Sequence, residues 1–461
     1  MKRVDVVIIG GGLAGIFAAY ELSVLSPATS VLLIEQGDPI AKRSCPIVAG
    51  QVPRCINCAI CDIMRGFGGA GAFSDGKFNF TTQFGGWLTD YLPSAQVMDL
   101  IDYVDRVNQQ FGATSESFST STPEADRIRL KALGEDIHLL DARCKHLGTE
   151  KNRELLQHMS DWLEDNVELW TNTRVDTIDP ADGGYRLGTT RGEIACDVVV
   201  AAPGRSGAEW FSGECRRLGL KLINNQVDLG VRVELPALVF KAITDAMYEA
   251  KLTYRTKQYG DQVRTFCMNP YGYVVSENTD GIITVNGHSY DAPELRSDNT
   301  NFALLVSNRF TEPFREPYRY GKHIASLSNM LGGGVMVQRL GDILDGRRTD
   351  QHRLDKSFVR PTLEATPGDL SLVLPKRHLD NIVEMLQALD RLAPGTANRD
   401  TLLYGVEVKF YSARLELSET FETKLPNFYA IGDGAGITRG LSQAGASGVQ
   451  AARAIAAKLL A

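Results

Sequence analysis

No stretch of this 461-residue chain is apolar for the roughly 20 residues that a membrane-spanning helix needs. A helical membrane protein is therefore not expected. Basic charge is also in short supply: 49 Lys and Arg stand against 56 Asp and Glu, a formal net charge of −7. Nucleic-acid partners usually show as a basic patch, so none is expected. There is no internal repeat and no low-complexity linker. A secretory signal is not expected either. Met1-Lys2-Arg3 does precede apolar residues, but the run Val4–Ile9 is broken by Asp5 and ends in Gly10-Gly11-Gly12. It reads as a buried strand entering a glycine turn, and a cytoplasmic location is expected. What is left is a globular chain of ordinary composition, long enough for two or three domains.

The 8 cysteines are few and uneven. Cys45, Cys55, Cys58 and Cys61 crowd one stretch, whereas Cys144, Cys196, Cys215 and Cys267 are scattered. In a reducing compartment a crowded set reads as metal-binding or redox-active rather than as a disulfide framework. The scattered four read as small buried apolar residues.

The positive signal begins at Val4–Ile9, a near-continuous β-branched run of the kind found in parallel strands covered on both faces. Gly10-x-Gly12-x-x-Gly15 follows, then a helix predicted over Leu13–Leu25, then a strand Val31–Ile34 ending in Glu35. Gly10 permits the tight turn, Gly12 lets a pyrophosphate approach the backbone, and Gly15 lets the helix pack closely on the strand. The helix start, with Leu13 and Ala14, offers N–H groups and a positive dipole end to phosphate. Glu35, followed by Gln36, is placed to accept from adenosine ribose hydroxyls and to repel a 2′-phosphate. The glycine motif alone is weak; strand, turn, helix, strand and acid in order are strong.

The C-terminus separates FAD from NAD. A short strand Asn427–Ile431 leads into Gly432-Asp433-Gly434-Ala435-Gly436, and a helix is predicted from about Gln443 to Leu460. Asp433 is suited to a ribitol hydroxyl, and Gly440, Leu441, Gln443 and Ala444 at the helix start are suited to face a flavin. These pieces resemble the glutathione-reductase-like FAD superfamily. Thr173-Arg174-Val175 looks like its adenine-passing segment, and Pro203-Gly204-Arg205 like the turn closing its cofactor domain.

A narrower resemblance is to the "FAD-dependent dehydrogenases", also called NAD(FAD)-utilizing dehydrogenases. It rests on Cys45-Pro46, Cys55-x-x-Cys58-x-x-Cys61, the run Gly66–Lys77 (GFGGAGAFSDGK), His146-Leu147-Gly148-Thr149, Pro367-Gly368-Asp369-Leu370 and Tyr404–Phe410. One departure is Cys267-Met268-Asn269-Pro270-Tyr271-Gly272, where the family tends to carry Cys-x-Cys-Pro-Gly-Gly. The resemblance implies FAD but no substrate. It implies that the glycine loop, with Gly69, Ala70, Gly71, Ser74, Asp75 and Gly76, lies against the pyrophosphate and flavin, with Lys77 as a cation near the ring.

Four readings of the cysteine insertion, residues 41–65, stay open. Cys-x2-Cys-x2-Cys plus a remote Cys-Pro suits a [4Fe–4S] cluster. Zinc on the same four thiolates is the runner-up. A redox-active disulfide and plain reduced thiols complete the set.

The predicted architecture is α/β. A discontinuous Rossmann-like FAD domain covers 1–207 and 406–461, and a β-rich α+β substrate or cap domain covers 208–405. Strands are predicted at Val227–Glu234, Val263–Met268, Tyr273–Ser276 and Gly281–Asn286, and a helix at Asn381–Leu392. No second glycine fingerprint follows a strand, so a dedicated NAD(P)H domain is not expected. His146, His288, Glu407 and Lys409 are the catalytic candidates; alternation would set Glu407, Lys409 and Tyr411 on one strand face. The expected function is an FAD-dependent oxidoreductase moving a hydride or electron pair between flavin and a small organic substrate held between the domains. The expected electron partner is ferredoxin or NAD(P)H. The alternatives are a flavin monooxygenase and, in another class, an electron-transfer or RNA-modifying flavoprotein.

Overall fold

A computed structural model describes residues 1–52, 56, 58–279, 281–290, 292–308 and 316–460. It divides into two units. Unit 1 is Met1–Glu116, Lys145–Asn225 and Tyr411–Ala461; unit 2 is Ser117–Cys144 and Gln226–Phe410. The stretch 117–144 belongs to unit 2 because its strand Ile137–Leu139 pairs with Leu252–Arg255 and Ala125 and Ala132 pack into that unit's core.

Unit 1 is built on a seven-stranded sheet. Glu168–Trp170, Val31–Ile34, Lys2–Ile9 and Gly192–Ala201 lie side by side and parallel. Phe428–Ala430 adds parallel to the far end of Gly192–Ala201. The near end of that long strand continues an antiparallel meander with Gly184–Thr189 and Val175–Ala181. Val6, Val7 and Ile8 have no exposed surface, as expected for a strand covered on both faces. The helix Leu13–Leu25 and the strand Val31–Ile34 run over the residues the sequence predicts.

The C-terminal helix covers Leu441–Leu459, two residues earlier than the periodicity suggests, because Gly440 already holds the extended N-cap conformation. This helix and Leu13–Leu25 meet at backbone contact: a Cβ on Gly448 would sit 2.2 Å from the Ala14 carbonyl oxygen. Phe17, fully buried beside this crossing, fills the core. Cutting it to Ala is expected to cost about 3–5 kcal/mol.

Unit 2 is an eight-stranded sheet. Its order is Thr366–Pro367, Met336–Arg339, Leu402–Lys409, Val227–Pro236, Asn299–Asn308, Gln262–Asn269, Leu252–Arg255 and Ile137–Leu139. All its pairings are antiparallel except the first. Odd-numbered Val227, Leu229, Val231, Val233 and Leu235 of the central strand enter one hydrophobic core. The helix Lys376–Leu392 covers that core with Ile382, Met385, Leu386 and Leu389. On its other face, Asp228, Gly230, Arg232 and Glu234 of the same strand are buried too. A hairpin, Tyr273–Thr279 with Ile282–His288, belongs to the same unit. Among the described residues no helix is long and apolar enough to cross a membrane.

Candidate functional site

The glycine turn of unit 1 has the geometry its spacing implies. Gly10 has φ +107, and a Cβ there would sit 2.1 Å from the Ala202 carbonyl oxygen. At Gly15 a Cβ would sit 2.0 Å from the Gly10 carbonyl oxygen, so helix and strand touch. At Gly12 a Cβ would meet nothing within 4 Å. The first two glycines serve the packing and the third faces open space. Gly12 is the N-cap of Leu13–Leu25; no side chain caps that helix and no acid stands in its first turn. The N–H groups beyond Gly12, at Leu13 and Ala14, remain suited to an anion.

The loop after the cysteine segment closes on this turn. Gly68 donates its N–H to the Gly11 carbonyl at 2.8 Å, and a Cβ on Gly69 would sit 3.2 Å from Gly12 Cα. Gly69–Phe73 forms a short 3-10 helix carrying Ala70 and Gly71. A Cβ on Gly71 would meet Leu441 Cδ2 at 3.0 Å, at the start of the C-terminal helix. Gly432, φ +71, would meet Ala14 Cβ at 2.8 Å, and Gly434 would meet the Gly204 nitrogen at 2.9 Å. Glycines therefore bring the predicted segments of unit 1 to one place. Gly12, Gly69, Gly71, Gly204, Asp433, Gly440, Leu441 and Ala444 are only half-buried there.

The C-terminal helix repeats the first helix's device. Gly440 is its N-cap, without a side-chain capping bond and without acids in the first turn. Gln443 Nε2 donates to the Phe84 carbonyl at 3.0 Å, while Gln443 Oε1 and Ser442 Oγ are buried without a partner. Asp433 accepts from Thr438 Oγ1 through Oδ1 at 2.7 Å, and its Oδ2 lies 3.9 Å from Arg205 Nε. Two bare helix starts, an open glycine, a half-exposed carboxylate and orphaned buried polar atoms fit a bound FAD. Thr438 escaped the sequence reading, and Arg205 was read only as part of the turn Pro203-Gly204-Arg205; their closeness to Asp433 and Gly204 in the chain was the available signal.

Glu35 is placed as predicted but more fully engaged. Oε2 accepts from Gly11 N–H at 2.8 Å, and Oε1 from Gly37 and Gly66 N–H, each at 2.9 Å. A carboxylate offers about four acceptor sites, so about one is left for a ribose hydroxyl. Gln36 beside it is half-buried. Val175 is buried in the meander, just after the exposed Arg174.

Ser74 donates to the Gly71 carbonyl at 2.7 Å and accepts from Gly76 N–H at 3.3 Å. Asn152 donates to the Gly71 carbonyl at 2.7 Å, and its Cβ bounds Gly76, where φ is +63. This turn sets Asp75 between two predicted residues: Oδ2 lies 3.1 Å from Lys77 Nζ and 3.8 Å from His146 Nε2. The three are largely buried. His146 thus joins the loop residues rather than the other catalytic candidates.

Glu407, Lys409 and His288 lie in unit 2. Glu407 and Lys409 share a strand face as alternation requires, with Lys409 Nζ 2.8 Å from Glu407 Oε1. Arg232 clamps the same carboxylate through Nε and Nη2, both at 2.8 Å. Arg232 also donates to the Cys267 carbonyl at 2.8 Å, Asn301 Oδ1 at 3.1 Å and Asn286 Oδ1 at 3.2 Å. Arg264 pairs with Asp228, the register partner of Lys409. Farther along, Glu234 accepts from Tyr404 OH at 2.5 Å, Thr362 Oγ1 at 2.5 Å and Asn299 Nδ2 at 3.1 Å. Burial pushes the Glu234 carboxyl up despite these donors, and burial with the Glu234 charge raises the Tyr404 phenol well above its usual value.

His288 ends its hairpin strand with its ring edge-on to Tyr290, centroids 4.7 Å apart. Tyr411 does not continue the face of Glu407 and Lys409, because the strand stops at Lys409. Sequence reasoning missed Arg232, although charges at 228, 232 and 234 in an apolar strand were a signal.

Of the four cysteines in the segment, Cys55 lies outside the described residues. Cys45 and Cys61 are half-buried and Cys58 is exposed; all three are free thiols. Among the described residues no three His, Cys, Asp or Glu side chains gather as metal ligands. The described cysteines therefore do not by themselves gather into a [4Fe–4S] or zinc site. Cys144, Cys196 and Cys215 are buried, and burial pushes the Cys196 and Cys215 thiols up to about 12.

A family profile described as "FAD-dependent protein, C-terminal domain-like" matches residues 227–410. A search of curated proteins found no match. Among solved structures, the chain is similar to glycine oxidase from Geobacillus kaustophilus at 13% identity, covering 100% of this chain and 94% of that one, with a TM-score of 0.35. L-proline dehydrogenase from P. horikoshii gives 11%, coverage of 98% and 93%, and a TM-score of 0.41. p-Nitrophenol 4-monooxygenase PnpA from Pseudomonas putida DLL-E4 gives 12%, coverage of 100% and 80%, and a TM-score of 0.41. The substrates of those proteins are theirs alone. A second profile, "FAD dependent oxidoreductase", matches residues 5–304, well over half of the chain. With the strand, turn and helix starts above, that match decides the matter: the chain belongs to the FAD dependent oxidoreductase family.

Proposed function

We propose that this oxidoreductase exchanges a hydride or electron pair between FAD held in unit 1 and a small organic molecule. The observation that carries the reading is the meeting of two uncapped helix starts with the Gly68–Gly71 turn beside Asp433. FAD, when bound, supplies the two-electron chemistry of its flavin ring. The chain's own residues hold and orient it. Leu13 and Ala14 N–H groups receive the pyrophosphate, Glu35 accepts from the adenosine ribose, and Asp433 accepts from the ribitol. Lys77 carries a positive charge that favours negative charge on a neighbouring group. Asp75 fixes that amine at 3.1 Å and stands 3.8 Å from His146 Nε2.

We read Glu407 and Lys409 as structural, because Arg232 and Glu407 already satisfy one another. Oxidation of an organic substrate removes a hydride, which the flavin would accept, and a proton, which passes to a base or to solvent; an external acceptor must then collect the electron pair. Reduced ferredoxin and NAD(P)H are the candidate partners for the opposite direction. The motifs support the narrower kinship with FAD-dependent dehydrogenases.

The test is anaerobic purification followed by flavin and metal analysis, then mixing with NADH, NADPH and reduced ferredoxin. FAD released on denaturation, at one per chain, is expected. FMN or no flavin after reconstitution would discard the reading. About four irons per chain would restore the cluster assignment.

A further inference from the structure

One buried cation is used neither by the proposed chemistry nor by the ion network of unit 2. Arg43 precedes Cys45 by two residues and is 2% exposed. Its guanidinium bonds main-chain carbonyls. Nε and Nη2 donate to the Asp62 carbonyl at 2.9 and 2.5 Å. Nη2 also donates to Ile63 at 3.2 Å, and Nη1 to Phe67 at 2.6 Å. Its face lies 5.1 Å from the Phe73 ring centroid. Burial holds it down to about 10 even with Glu35 and Asp62 nearby.

These bonds staple two stretches that carry thiols. Ser44 N–H donates to Asp62 Oδ2 at 3.1 Å, so Cys45 follows a residue tied to the one after Cys61. Arg65 N–H returns to the Cys61 carbonyl at 2.9 Å. The next residue is Gly66, whose N–H is held by Glu35. A Cβ on Gly66 would strike Arg43 Cδ at 2.6 Å, so the arginine stem is packed against this glycine. Two residues on, Gly68 bonds Gly11 in the phosphate turn. An unbroken chain of contacts thus runs from Cys45 and Cys61, through Arg43 and Gly66, to Glu35 and Gly11. A planar fork bonding several carbonyls sets geometry in a way that an ammonium does not.

We propose that Arg43 is a positioning residue for the FAD site and that it couples this site to the cysteine segment. FAD binding then shields Cys45 and Cys61, and blocking those thiols weakens FAD binding. The inference rests on the FAD reading above. Coupling of this kind is reciprocal in direction: what FAD binding orders at the thiols, a change at the thiols loosens at the FAD site.

The experiment uses the full chain, stripped of FAD and reconstituted. Iodoacetamide labelling of Cys45 and Cys61 is followed by peptide mass spectrometry, with exposed Cys58 as reference. Labelling is expected to slow by about fivefold or more when FAD is bound. FAD affinity of the labelled protein, read by flavin fluorescence, is expected to fall. Arg43→Lys keeps the charge but loses the fork, and should bring the labelling ratio close to one. Equal labelling with and without bound FAD in the unaltered chain overturns the proposal. So does full protection in Arg43→Lys. The comparison in the unaltered chain stands even where the variant does not fold. Failure of FAD to bind at all instead sinks the reading on which it rests, and this proposal with it.

Discussion

Unit 1 buries the Glu35 carboxylate against three backbone N–H groups, whereas unit 2 buries Glu407 against the side chains of Arg232 and Lys409. The first arrangement is made by glycines and leaves donors elsewhere on the same turn uncapped. The second closes on itself, since each charge has an opposite charge in bonding distance. Backbone N–H groups carry no net charge, so a turn built from them can await an anion. Buried side-chain ions cannot wait; they must be matched when the chain folds. The contrast suits the glycine turn to the ligand binding proposed above and the ion network to maintenance of the fold.

The largest expected effect breaks the closed network. Glu407→Leu leaves two buried cations without their shared partner and should cost about 3–5 kcal/mol in urea unfolding. The double variant Arg232→Met with Glu407→Leu should recover much of that loss. A single variant as stable as the parent would show that unit 2 does not depend on the network.

Next comes a buried base in unit 2. Burial pulls His378 down from 6.5 to about 4, and neither ring nitrogen has a hydrogen-bond partner among the described residues. The unfolded chain therefore binds the extra proton between about pH 4 and 6.5, and the native state does not. Stability is full above the unfolded value and declines as pH falls toward 4, by on the order of 3 kcal/mol. His378→Leu should flatten the urea midpoint against pH over that window; an unchanged slope would reject the assignment.

The glycines sharpen the comparison within unit 1. Gly15→Ala drives a methyl group into the Gly10 carbonyl and should destabilise the apoprotein by about 1–3 kcal/mol. Gly12→Ala meets open space and should change apoprotein stability by less than about 0.5 kcal/mol. It should still weaken FAD binding about tenfold to a hundredfold, through lost charge-assisted hydrogen bonds. Equal loss of stability in both variants would erase the distinction between packing and binding glycines. The smallest effect is expected at Thr438→Val, which frees Asp433 Oδ1 of its partner. FAD affinity should shift by only about fivefold, read by fluorescence titration.

Much of unit 1 is legible in the chain because its instructions are local. The Gly10–Gly15 turn, the helix Leu13–Leu25 and the strand Val31–Ile34 occupy neighbouring residues, and steric demand fixes each glycine. Asp433 is readable for the same reason. The cluster Asp75, Lys77 and His146 is only half-readable: each residue stands in a motif-like phrase, but no phrase says that they meet. In unit 2 the strands Val227–Pro236 and Leu402–Lys409 are visible as apolar alternation. Their pairing is not visible, and Arg232 meets Glu407 across 175 positions.

The sequence by itself determined the FAD oxidoreductase family and where its tight glycine turn lies, since a backbone needing φ +107 or a contact of 2.0 Å admits glycine and little else. Only the tertiary structure decided what the charged residues do. A carboxylate's role depends on which donors reach it, and those donors come from distant segments. Glu35 is claimed by Gly11, Gly37 and Gly66, Glu407 by Arg232 and Lys409, and Asp433 by Thr438. Side-chain type sets the charge; the fold sets its partner.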